Sequence, residues 1–231
     1  MRSTDTRHLV MPTVSAGVLM AAYLLMRPYG DATSSTSPEA AAAFASGWWV
    51  VAHLAGALAL VQLARLGLRI DDLLSTTTTM IARWSGLSGA ALVLPFFGAE
   101  TFGLHAIGRL GRTDPAVLSL VEDVRGHPAA LTTFGIGLAL LAVSGVSTAL
   151  AWQGATRTGR WAGPPWAAWP LGIGATLVLP QFYLPPTGRM AFGVAFGIAA
   201  LILAAIAARS AGRVGEDTPL PPVHPEPATA Q

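Results

Sequence analysis

Between Trp84 and Gly108 the chain carries a single formal charge, Glu100, with Pro95 five residues before it and His105 five after. A carboxylate in so apolar a run needs a partner, a proton or water, because an ionised group alone away from water costs several kcal/mol. Depth arithmetic supplies candidates. At ~1.5 Å per helical residue, Glu100 lies ~25 Å beyond Arg83, toward the outer part of a bilayer, and His53 lies one turn below the Trp48/Trp49 pair at comparable depth. His105 and His127 flank the connection that follows, while Arg27, Gln181 and Arg189 fall toward the same ends of their own segments. The sequence therefore predicts a polar cluster of His53, Glu100, His105, Arg27, Gln181 and Arg189. We expect Glu100 to pair with His53 first, and with Arg27 or Arg189 next.

Four chemistries compete for such a cluster. The plainest is mutual satisfaction of buried polar groups, which is what intramembrane polar residues usually achieve. A Glu–His pair in an outward cavity also suits a small-solute or proton path. Imidazole and carboxylate from His53, Glu100, His105 and His127 form a chemically sound zinc set, although Glu100 and His105 are five residues apart, ~140° around a straight helix, and share a face only if the helix bends. Haem ligation by His53 and another histidine is the fourth. The sequence contains no HExxH, GxSxG, phosphate-cradling GxxxxGK[ST] or glycine-rich dinucleotide turn, so no catalytic residue is assigned and no cofactor is favoured. The expected function is non-enzymatic, structural or handling a small solute or proton. The alternative is a metal- or haem-dependent membrane enzyme using His53, Glu100 and His105.

The elements that must position these residues follow from composition. The chain has 231 residues, 52% of them hydrophobic and 11% charged, far from the quarter or so of charged residues in a soluble domain. The basic residues are all arginine, consistent with a GC-rich bacterial genome, and they lie scattered at segment ends. The net charge of +2 thus forms no basic patch, and nucleic acid is not an expected partner. With no cysteine, disulfides and thiolate chemistry are excluded.

Uncharged runs predict an all-α polytopic bundle of six transmembrane helices over residues 9–27, 47–66, 84–105, 129–152, 166–184 and 189–208. Residues 1–8 form a polar N-terminus, and 9–27 reads as a retained anchor. Ser37-Pro38-Glu39 has the cap, proline and acid of a helix start. Arg65 to Arg83 reads as a polar connection. Thr113-Asp114-Pro115 opens a short surface helix over 114–125 with Val117, Leu120, Val121 and Val124 on one face. The stretch 209–231, rich in Pro, Glu and Thr, reads as a disordered tail. Trp48, Trp49, Trp161, Trp166 and Trp169 fall at predicted interfaces, as an aromatic belt would. Nine arginines on the side of the termini against five opposite predict cytoplasmic termini in a bacterial plasma membrane.

Two patterns concern packing. Gly89 to Phe97 resembles Gly174 to Phe182, and Phe134 to Ala142 resembles Phe196 to Ala204, as duplicated hairpins would; a vocabulary of Ala, Gly, Leu and Val also produces such matches by coincidence. Pro95 and Pro180 are expected to kink their helices. Gly193/Gly197, Ala52/Gly56, Ser85/Gly89, Ala99/Gly103 and Gly145/Ala149 are small-xxx-small pairs suited to close helix packing, within the bundle or in a homo-oligomer. The run Pro95-Phe-Phe-Gly-Ala-Glu-Thr-Phe-Gly-Leu-His-Ala-Ile-Gly108 resembles a stretch in uncharacterised multi-pass membrane proteins of actinobacteria. That resemblance implies a polytopic inner-membrane protein and carries no activity.

Overall fold

The computed structural model describes residues 5–216. Among them every regular element is helical. Asp5 caps a 3-10 turn at Thr6–Leu9 that leads into α1 (Val10–Met26). Then come α2 (Pro38–Ala45), α3 (Gly47–Leu74) and α4 (Thr77–Gly98). A π-turn at Ala99–Gly103 passes directly into α5 (Leu104–Gly111). A 3-10 turn at Pro115–Ser119 precedes α6 (Leu120–Arg125), and α7 (Pro128–Arg157), α8 (Trp169–Leu177) and α9 (Pro186–Glu216) complete the chain.

Five helical stretches are long and apolar enough to cross a membrane: Thr6–Met26, Gly47–Leu74, Thr77–Gly111, Pro128–Arg157 and Pro186–Ser210. The chain is an all-α polytopic membrane bundle. Neighbour contacts run α9 to α1 to α3 to α4 to α7 to α8 and back to α9, closing a ring. The sixth expected helix, over 166–184, is not continuous. Its helical part is the nine residues of α8, and Pro180 opens a separate 3-10 turn, Pro180–Tyr183. The segment nonetheless runs antiparallel along α7, with Trp169 donating to Gln153 at one end and Phe182 against the Phe134 ring at the other.

Several boundaries differ from the sequence reading, for local reasons. The connection expected over 65–83 is two residues long: α3 continues to Leu74, Ser75 takes the left-handed conformation (φ 52°), and Thr76 starts α4 with a reciprocal cap to Thr79. The helix that Ser37 caps stops at Ala45. Ser46 is extended and caps α3 afresh, so α2 folds away and packs on α5. Helix α9 carries through residues 209–216, which were expected in a disordered tail; residues 217–231 of that tail and 1–4 of the N-terminus lie outside the described residues. The two proline motifs differ locally, because Pro95 sits inside unbroken α4 while Pro180 begins a new turn.

Small residues set the ring's spacing. A Cβ on Gly17 would lie 2.4 Å from that of Ala200, so α1 and α9 touch almost backbone to backbone, with Gly197 facing the Gly17 carbonyl. Gly56, Gly89 and Gly145 are likewise packed against Tyr23 and Phe97, Gly137, and Ala175. Four of the five small pairs are thus used inside the bundle, whereas Gly103 has open space beside it. At the end where the Thr6–Leu9 turn meets α9, Thr6 Oγ1 donates to the Ala207 carbonyl (2.6 Å), Thr79 Oγ1 donates to Asp71 (2.7 Å), and Arg160 donates to the Leu73 carbonyl (2.9 Å). The opposite end carries α2, α5, α6 and the polar site.

Candidate functional site

Glu100 is buried and sits in the π-turn, about three helical turns from the end of the Thr77–Gly111 stretch. The π-turn has a physical cost that the site meets: a widened turn leaves carbonyls without their usual i+4 donors. The Trp49 indole donates to the Glu100 carbonyl (2.7 Å), and the Thr101 hydroxyl donates to that of Phe97 (2.6 Å). Trp49 is thereby fully buried and holds the turn from α3. It was expected in an interfacial belt, with Trp161, which is also buried; Trp48 and Trp166 are the belt-like, exposed ones.

The carboxylate of Glu100 is held by Arg125 of α6, whose Nε donates to Oε1 (2.7 Å) and Nη2 to Oε2 (3.1 Å). This bidentate fork is the strong form of an arginine–carboxylate pair. The same Nη2 donates to Asp31 (3.0 Å), which also accepts from Arg27 (2.7 Å). The result is a chain of alternating charge, Arg27–Asp31–Arg125–Glu100, joining the end of α1, the α1–α2 connection, α6 and the π-turn. Both guanidiniums lie over the Trp49 ring, Arg27 at 4.8 Å and Arg125 at 5.9 Å from its centroid, and Arg125 also covers Phe44 at 5.2 Å. Burial alone would raise the Asp31 carboxyl, but Arg27 and Arg125 outweigh it and hold the group below the usual carboxylate range. Burial likewise pulls Arg125 down, and Glu100 and Asp31 more than offset it, keeping the guanidinium charged.

His53 is close, though not as the principal partner. Its Nδ1 lies 2.7 Å from the Trp49 carbonyl, an acceptor, so Nδ1 carries the proton, and Nε2 stands 3.8 Å from Glu100 Oε2. At that distance a neutral ring makes no hydrogen bond to Glu100. The expected order of partners is therefore corrected: Arg125 takes Glu100, and Arg27 pairs with Asp31. Arg189 donates to the backbone carbonyls of Leu184 and Phe182. His105 turns Nδ1 to the Phe44 carbonyl (2.9 Å), tying α5 to α2, and His127 is an exposed residue at the start of α7. Among the described residues no three His, Asp or Glu side chains converge as a metal-holding group. Gln181 is buried with neither amide atom hydrogen-bonded among the described residues.

Arg125 escaped the sequence reading because it sits 25 residues from Glu100 in a connecting segment. A signal existed: four residues after Val121 it shares the face that docks. Asp114, through its bond from the Ala116 amide, caps this segment. Leu118 and Val121 are buried on the bundle, whereas Leu120, expected on that face, is exposed.

Beside the charge chain lies a cavity of about 690 Å³. Its polar wall is Tyr23, Arg27, Asp31, His53, Glu100 and Arg125. Its apolar wall is Phe96, Phe97, Leu131, Phe134 and Phe182, and Arg189 with the Tyr183–Pro186 segment completes the rim. Fold and site together define a polytopic membrane bundle with a partly charged cavity at one end. Compared with protein-family models, curated proteins and solved structures, the chain matches none.

Proposed function

We propose that the chain is a non-enzymatic plasma-membrane protein that holds a small solute in this cavity, open to the outer side, with both termini in the cytoplasm. The observation that carries the reading is the cavity itself. At about 690 Å³ it falls within the ~300–1,000 Å³ range of small-molecule sites, and it combines aromatic walls with a few converging polar groups. The arginines support the orientation. Near the Thr6 end, Arg7, Arg65, Arg157, Arg160 and Arg209 are exposed, against Arg109 and Arg112 at the site end, where Arg27 and Arg125 are bound by Asp31 and Glu100 and Arg189 lines the cavity. Free arginine therefore concentrates at the terminal end, as cytoplasmic faces do.

Native mass spectrometry of protein extracted from its own membrane tests the reading. Wild type is expected to carry a small molecule that Ala32→Trp, a bulky side chain placed at the exposed mouth, does not. Protein that emerges empty, and whose unfolding temperature no small solute raises, would contradict it.

A further inference from the structure

Resting on that reading, we propose that the cavity takes an amphiphile with a single anionic head, a carboxylate or phosphate monoester, and an apolar body. Charge is the first observation. The lining holds three guanidiniums, Arg27, Arg125 and Arg189, against two carboxylates, Asp31 and Glu100. Asp31 and Glu100 are committed to Arg27 and Arg125, while Arg189 has no carboxylate partner among the described residues. Only its Nε and one hydrogen of Nη2 are engaged, on the carbonyls of Leu184 and Phe182, which fixes the fork and leaves Nη1 for a ligand.

The second observation is independent. Tyr23 is 4% exposed, lines the same cavity, and its hydroxyl has no hydrogen-bond partner among the described residues; Tyr29, by contrast, spends its hydroxyl on the Leu24 carbonyl. A hydroxyl left open to the cavity without a protein partner is a ready donor, and an anionic oxygen beside Arg189 supplies an acceptor for it. The prolines Pro185 and Pro186 put the amino-terminal, electropositive end of α9 at the same rim. In the same lining, Phe134 packs against Phe97 at 6.0 Å and Phe182 at 5.6 Å between ring centroids, a surface suited to an alkyl or aryl body.

The test uses full-length protein in phosphatidylcholine nanodiscs and four probes of one chain length: decanoate, decyl phosphate, decanol and decylamine. Affinity is read from the concentration dependence of the unfolding temperature. Decanoate or decyl phosphate, whichever carries the matching head, is expected to bind at least tenfold tighter than decanol, with decylamine weakest. Arg189→Gln is expected to erase that preference, Arg189→Lys to restore part of it, and Arg112→Gln, outside the cavity, to leave it intact. Tyr23→Phe, which keeps the ring packing, is expected to weaken the anion severalfold even if Arg189→Gln fails to fold. Equal binding of all four heads, or a preference that survives both Arg189→Gln and Tyr23→Phe, overturns the anionic assignment while leaving the cavity reading standing. Binding of none of the probes overturns the amphiphile assignment, and the cavity reading then rests on the native mass spectrum alone.

Discussion

At the residue scale, the Arg125–Glu100 fork is the interaction whose loss should be felt most. Removing Arg125 strands Glu100 and leaves Asp31 with Arg27 alone, and breaking a buried pair from one side costs about 3–5 kcal/mol. Glu100→Gln should be milder, about 1–2 kcal/mol, since the amide keeps the shape and an acceptor and Arg125 retains Asp31. The double variant Arg125→Gln/Glu100→Gln should be more stable than Arg125→Gln alone, which unfolding in nanodiscs reads as a coupling energy. Asp31 gives the acid limit of this network. Its folded carboxyl lies below the ordinary ~3.9 of an aspartate. Its contribution is therefore complete above about pH 4 and is lost as pH falls through the depressed folded value. Wild-type stability at the site end should be flat from pH 8 to about 5 and fall below 4, and Asp31→Asn should lower the plateau and blunt that fall.

At the scale of elements, the site depends on three short pieces: the π-turn, α2 and α6. Trp49→Phe keeps the ring contacts and removes the donor to the Glu100 carbonyl, so it should destabilise by about 1–3 kcal/mol, the cost of a buried acceptor left alone. Gly108→Ala should cost about 1–3 kcal/mol by another route, since its Cβ would fall 2.4 Å from that of Phe44 and 2.7 Å from the Ala45 amide nitrogen where α5 meets α2. Amide exchange in α6 should be slow at Val121 to Arg125 compared with the exposed residues 32–34, and Arg125→Ala should speed it, because the side chain is the segment's polar tether to the bundle. Long apolar runs made the spanning helices legible, and Ser37 and the Asp114-Pro115 step made α2 and the segment before α6 legible. The break of the 166–184 run was legible only at Pro180, which cannot continue the helix and opens the 3-10 turn; the shortening of the helix to Trp169–Leu177 was not, because its composition is as apolar as its neighbours. Trp49 misled for a similar reason. A tryptophan near a segment end reads as interfacial from sequence, and only the π-turn carbonyl explains its burial. Glu100 stood out because charge is rare in such a run; its partner did not, because arginine in a connecting segment is ordinary.

At the scale of the whole molecule, the ring of segments leaves one end tied by backbone-directed bonds such as Thr6 to Ala207 and Arg160 to Leu73, and the other end held by the charge chain around the cavity. The account stands on that cavity opening to the outer side of the membrane, and the absence of cysteine makes the claim directly measurable. Single cysteines are introduced at Ala32, exposed on the cavity rim, and at Thr158, exposed beyond α7 at the terminal end, and intact cells are treated with a membrane-impermeant maleimide. The account predicts that Ala32→Cys is labelled in intact cells and Thr158→Cys only after permeabilisation. Labelling of Thr158→Cys in intact cells, with Ala32→Cys protected until the membrane is opened, would contradict it.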